Sequence, residues 1–214
     1  MDSDKLIFAG IGGFTLLILV FILGTSFLKQ PVSLTSETLL NGATHKIGAT
    51  EPKLILVEFS DFECPACKSY VPVLNQLLSD YPEILQIVYR HFPIPGHLRA
   101  VPSARASEAS SMQGKFWEYH DVLFTNQPNF SDDDLMRYAA DLGLDVTKFE
   151  EDYKSAAVAE TVKADFNLST GLNLRGTPSF FAIYDSKVEE IILNANGDLE
   201  KKVAEILGEP LVAD

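Results

Sequence analysis

The stretch Leu54-Ile55-Leu56-Val57-Glu58-Phe59-Ser60-Asp61-Phe62-Glu63-Cys64-Pro65-Ala66-Cys67-Lys68 decides the fold. Lys53 to Phe59 is a mostly apolar run of the kind a buried strand shows. From Cys64 to about Ser79 the apolar residues Val71, Leu74, Leu77 and Leu78 recur at a helix period. A strand therefore runs into a helix whose start holds both cysteines of the 214-residue chain. Two thiols three positions apart at a helix start can exchange a disulfide with another protein, so thiol–disulfide chemistry is the first expectation.

Local chemistry supports it. Pro65 suits the first helical turn, where its missing N–H costs nothing, and it pushes Cys64 out of helical geometry into the N-cap position. Free backbone N–H groups and the helix dipole then stabilise a Cys64 thiolate, while Cys67, one turn in, is the more shielded thiol. A structural disulfide across so short a spacing would staple almost no chain. Glu63, next to Cys64, disfavours the anion if it lies near it in space.

Ile84 to Phe92 reads as a second strand, completing a βαβ unit that favours parallel pairing. Residues from Gly96 to about Leu174 are helical in pattern: small residues at Ala100, Ala104, Ala106 and Ala109, then an apolar face of Phe116, Trp117, His120, Leu123 and Phe124. Ser131 reads as an N-cap before three aspartates, and two helices follow at about 146–154 and 156–170. Two strands about the turn Asp185-Ser186-Lys187 and a last helix, about 198–207, return the chain to α/β structure. His91, His97 and His120 have no spacing that makes a metal site alone, and no metal is expected; His120 and Trp117 read as core of the helical block.

Residues 6–28 contain no charge and are rich in Leu, Ile, Phe, Val and Gly. As a helix they reach roughly 34 Å, enough to cross a hydrocarbon core of about 30 Å. That length favours an uncleaved anchor over a secretory signal cleaved near Gly24-Thr25-Ser26. Lys5 and Lys29 flank the segment evenly, so charge does not orient it. Residues 29–52 read as a linker with at most one short strand, residues 53–207 as the domain, and 208–214 as a tail. The whole net charge of −13 lies after Lys29 and argues against nucleic-acid binding.

With these residues in place, the chain resembles the thioredoxin superfamily, and within it the DsbA-like thiol:disulfide oxidoreductases with a helical insertion, here about 97–172. The resemblance rests on Leu56 to Lys68, Pro72, the block Gln113-Gly114-Lys115-Phe116-Trp117-Glu118-Tyr119-His120, and Gly176-Thr177-Pro178-Ser179-Phe180-Phe181. It implies an α/β thioredoxin-like fold, behind the N-terminal transmembrane helix, and an enzyme that needs no cofactor beyond its redox-active disulfide. It assigns Cys64 as nucleophile, Cys67 as resolving thiol and Glu58 as a buried proton relay. Thr177, a cis Pro178 and Arg175 would line the substrate groove.

The resemblance further implies cysteine-containing extracytoplasmic substrates, a DsbB- or VKOR-like membrane redox partner, and a plasma-membrane location with the domain outside. The uncharged Pro65-Ala66 pair leaves electron flow open: an oxidase weaker than the strongest of the family, or a reductase or isomerase. A copper-binding module would use the same soft thiolates but lacks a nearby third ligand. A chaperone that only grips unfolded chains predicts that Cys64→Ala leaves activity intact.

Overall fold

The computed structural model describes residues 32–193 and 198–208. The expected membrane span lies outside the described residues, among which no helix is long and apolar enough to cross a membrane.

Five strands form one mixed sheet: β1 (His45–Gly48), β2 (Leu54–Ser60), β3 (Leu85–His91), β4 (Ser179–Tyr184) and β5 (Lys187–Ile191), in the order β1-β3-β2-β4-β5. β2 and β3 pair in parallel as the βαβ reading requires, while β1 on β3, β4 on β2 and β5 on β4 are antiparallel. Asp185 and Ser186 take positive φ between β4 and β5, the backbone a two-residue hairpin turn demands. The helices are α1 (Ser36–Leu40), α2 (Pro65–Asp80), α3 (Ala100–Ser111), α4 (Phe116–Asn126), α5 (Asp132–Asp141), α6 (Val146–Lys154), α7 (Ala156–Gly171) and α8 (Asp198–Leu207). Helices α3 to α7 form the insertion between β3 and β4. Ser131 caps α5 through a reciprocal capping box with Asp134.

Residues 29–52 are not simply a linker. From Ser33 the chain belongs to the same compact unit as the domain. Leu39 is fully buried, and β1 is an edge strand paired over His45–Gly48 with Tyr89–Gln86. The buried Arg90 fastens this segment, donating to Leu39 O at 2.9 Å and to Asp165 of α7 at 2.6 Å. Gly48 closes the strand at φ +102, and a Cβ there would stand 2.4 Å from Leu85 O, so no larger residue fits. A polar edge strand shows no apolar alternation, which is why the pattern reads as a tether.

The sheet separates two cores. Val57, Phe59, Val88, Phe181 and Ile183 pack on one side with Leu39, Phe92 and Phe166. On the other side Leu54, Leu56, Leu85, Ile87 and Phe180 pack with Leu74 and Leu77 of α2 and with Leu199 and Val203 of α8. That second face changes character toward the ends of β2 and β3, where Glu58, Ser60, Tyr89 and His91 follow at the same alternation.

Candidate active site

Cys64 is the N-cap of α2, with extended φ/ψ (−79, 119) and Pro65 in the first turn. It is 8% exposed, whereas Cys67 is fully buried, and both are free thiols. The Cys64 thiol lies 3.4 Å from Thr177 O, and the Thr177–Pro178 bond is cis. The loop before β4 thus meets the start of α2 across 113 residues of sequence. Arg175, Thr177 and Pro178 line one open groove of about 730 Å³ together with Glu190 and Ile192.

A hydrogen bond from the Cys67 thiol is the largest influence on Cys64 and lowers its pKa to about 5. Partial burial opposes this; the Thr177 hydroxyl and the backbone N–H groups of Cys67 and Ala66 add to it. That hydroxyl is buried and closes no full hydrogen bond; it is the backbone oxygen of Thr177 that stands within reach of the Cys64 thiol. Burial pushes the Cys67 thiol far upward, assisted by its bond to Cys64 and by the nearby Glu58 charge. The two thiols therefore differ as an attacking and a resolving sulfur must.

Glu58 is 2% exposed on β2, facing Tyr89 of β3 in register. Burial raises its pKa to about 7, only partly offset by the neighbouring Ser60 hydroxyl, which itself closes no full hydrogen bond. A carboxyl that titrates near neutrality beside a buried thiol can take up or deliver that thiol's proton.

Glu63 is not among the main influences on Cys64, and its carboxylate accepts from Arg99 N at 2.6 Å. Asp61, without a role in the sequence reading, organises the turn instead. Its buried carboxylate accepts from Glu63 N (2.8 Å), Ile94 N (2.9 Å) and His97 Nδ1 (2.7 Å), and its backbone oxygen accepts from Cys64 N (3.0 Å). The Asp61 hydrogen bond raises the His97 pKa, with Glu63 and Cys64 adding to it. An acid three residues before the cysteine, where an Asx turn can form, is the signal that could have flagged it.

A second cluster also escaped the sequence. His45 Nε2 and His91 Nε2 stand 2.6 and 2.9 Å from one oxygen of Glu108, all three residues buried. Burial works against the Glu108 anion, but the two imidazole bonds outweigh it and lower its pKa to about 2. These contacts are shorter than the roughly 3.3 Å between ligand atoms that a tetrahedral ion with ~2.0–2.1 Å bonds imposes. The arrangement is a hydrogen-bonded clasp joining β1, β3 and α3.

A cysteine pair split into a low-pKa thiol 8% exposed and a fully buried one, with a buried acid behind and a cis-proline loop in front, defines a thioredoxin-fold thiol–disulfide oxidoreductase. The chain belongs to the thioredoxin family, whose sequence model matches residues 40–193. Its fold is similar to a thioredoxin-like oxidoreductase from Silicibacter pomeroyi (TM-score 0.68, 26% identity, 83% of this chain and 100% of that one). It is also similar in fold to BdbD from Bacillus subtilis (TM-score 0.68, 21% identity, 81% and 96%). Among curated relatives, Na(+)/H(+) antiporter NhaA 1 of Mycolicibacterium vanbaalenii is 33% identical over 192 residues, 84% of this chain but 31% of that protein. The chain spans about a third or less of the length of such relatives, so the match is to a part of them.

Proposed function

We propose that this protein is an extracytoplasmic thiol:disulfide oxidoreductase that forms disulfides in secreted or membrane proteins. A substrate thiolate attacks Sγ of Cys64 in the enzyme disulfide. The S–S bond breaks, and Cys67 leaves as a thiolate that takes a proton from Glu58. A second substrate thiolate then attacks the substrate sulfur of the mixed disulfide and expels Cys64 as a thiolate. The substrate dithiol has lost two electrons to the enzyme disulfide. Thr177 and Pro178 hold the substrate chain beside Cys64, with Arg175 along the groove. A DsbB- or VKOR-like membrane partner reoxidises the pair, and residues 6–28 anchor the domain at the plasma membrane.

The observation that supports the oxidising direction is the place of Cys64 at the N-cap of α2, 3.4 Å from Thr177 O, where the hydrogen bond from Cys67 and backbone N–H groups lower its pKa. A stabilised thiolate favours the reduced enzyme and so the oxidising reaction. Equilibration against glutathione tests it: the expected potential lies between thioredoxin's roughly −270 mV and DsbA's roughly −120 mV. A value at thioredoxin's level, with Cys64 and Cys67 trapped as dithiols in cells, would make the protein a reductase or isomerase.

A further inference from the structure

Glu58 can serve Cys67 repeatedly only if its own proton reaches water, yet the carboxyl is 2% exposed beneath α2 and α4. One small cavity adjoins it. The space is about 40 Å³ and is lined by Glu58, Asn75 of α2, and Trp117, His120 and Asp121 of α4, with apolar side chains between. A buried water needs at least about 10–15 Å³ and two to four polar partners, and this cavity offers both.

His120 bridges the cavity and the surface. The residue is 5% exposed and its ring is walled by Phe62, Tyr89, Trp117 and Phe124. Its Nδ1 stands 2.8 Å from Oδ1 of Asp121, whose side chain is 62% exposed. A carboxylate only accepts, so Nδ1 carries the proton and Nε2 keeps a lone pair. A ring that lines the cavity beside Glu58 and commits one nitrogen to a surface carboxylate is placed to pass a proton between inside and outside.

We infer that His120 and Asp121 form the proton exit of the buried acid, through a water held in this cavity; the inference rests on the oxidoreductase reading above. When Cys67 is deprotonated, Glu58 takes its proton and releases one to the water. The water protonates Nε2 as Nδ1 releases its proton toward Asp121 and solvent. In the opposite half of the cycle Cys67 leaves as a thiolate and a proton travels inward. One proton out and one in per turnover restores the imidazole tautomer without a ring flip. His120 touches no reacting sulfur; it is a positioning residue that acts through Glu58.

Burial lowers the His120 pKa, keeping the ring neutral and able to accept at neutral pH, while Asp121 opposes that shift and His91 and His45 reinforce it. Glu58 across the cavity and Tyr89 against the ring are the remaining titratable groups facing it; the α2 residues lining the space are uncharged.

The test uses the reduced protein and oxidised glutathione, following by rapid quench the mixed disulfide on Cys64 and its resolution by Cys67. His120→Gln should slow resolution about tenfold or more, within the range of proton-transfer contributions, while the reduction potential stays at the parent value. In His120→Ala, added imidazole should restore the rate, whereas Glu58→Gln should be slow and unaffected by imidazole. Resolution at the parent rate in His120→Gln, or a slow His120→Ala that imidazole does not rescue, overturns the inference and leaves the oxidoreductase reading intact. Failure of the parent protein to form a mixed disulfide at Cys64 overturns both.

Discussion

The two faces of the central sheet are made from the same strands and do different work. On one, Val57, Phe59, Val88 and Phe181 interlock with further apolar side chains, and the buried Arg90 stands beyond them, fully engaged. On the other, after Leu54, Leu56 and Ile87, the same alternation delivers Glu58, Ser60, Tyr89 and His91 into the space beneath the insertion. There Ser60 Oγ and Tyr89 Oη are buried without partners, and Glu58 holds its proton to about pH 7. Neighbouring residues of β2 thus serve opposite ends: alternate side chains hold the fold, and those between are kept from water at a cost in stability so that they titrate where a thiol needs them.

The sharpest break is chemical. Cys64→Ala should reduce thiol–disulfide exchange to background in an insulin or glutathione assay while lowering the melting temperature only slightly, because the side chain, although packed with Phe62, Cys67 and Tyr89, loses a single atom. Phe59→Ala should cost about 3–5 kcal/mol in denaturant unfolding, since a fully buried ring leaves a cavity. At temperatures where this variant stays folded, its reduction potential should match the parent's; a changed potential would mean the faces are not separable.

Glu58→Gln inverts that pattern. The folded carboxyl keeps its proton up to about pH 7 and the unfolded one only to about 4.5, so burial of Glu58 lowers stability progressively as pH rises between those values. Above pH 7 the cost levels off at about 3 kcal/mol. The amide should therefore be the more stable protein at pH 8, by up to that amount, and should lose most of this advantage near pH 4. Urea midpoints at the two pH values check it. The smallest effect is expected from Ser60→Ala: stability within about 0.5 kcal/mol, since the buried hydroxyl closes no full hydrogen bond, and a Glu58 midpoint displaced upward in a carboxyl-resolved NMR titration, since that hydroxyl lowers the Glu58 pKa.

What could be read ahead of the coordinates divides along the same line. β2, α2, β3 and the β4–β5 hairpin are specified by local alternation, a proline and turn residues, and the cysteine pair carries its chemistry in four positions. The cap at Ser131 was equally legible, because the residues that satisfy it lie three apart. β1 is the short strand allowed for in residues 29–52, but its position is not legible: its burial falls on His45 alone, and an edge strand declares itself only through the partner it pairs with. Nor was the His45–Glu108–His91 clasp, whose members are brought together across 63 and 17 residues. The family resemblance points to Glu58, whose setting in an apolar run fits burial; Asp61 escapes notice because an acid in a turn is ordinary, and its three partners come from both sides of β3.

Asp61 makes the turn that carries Cys64 and the approach to α3 share a single carboxylate. Neither segment can open alone without stranding a buried anion, so the two open together or stay closed. In the language of cooperative units, the thiol's loop has borrowed the stability of the insertion's entrance. A disturbance on α3, a helix that holds no reacting group, is thereby felt as a change in how firmly the sulfur is aimed.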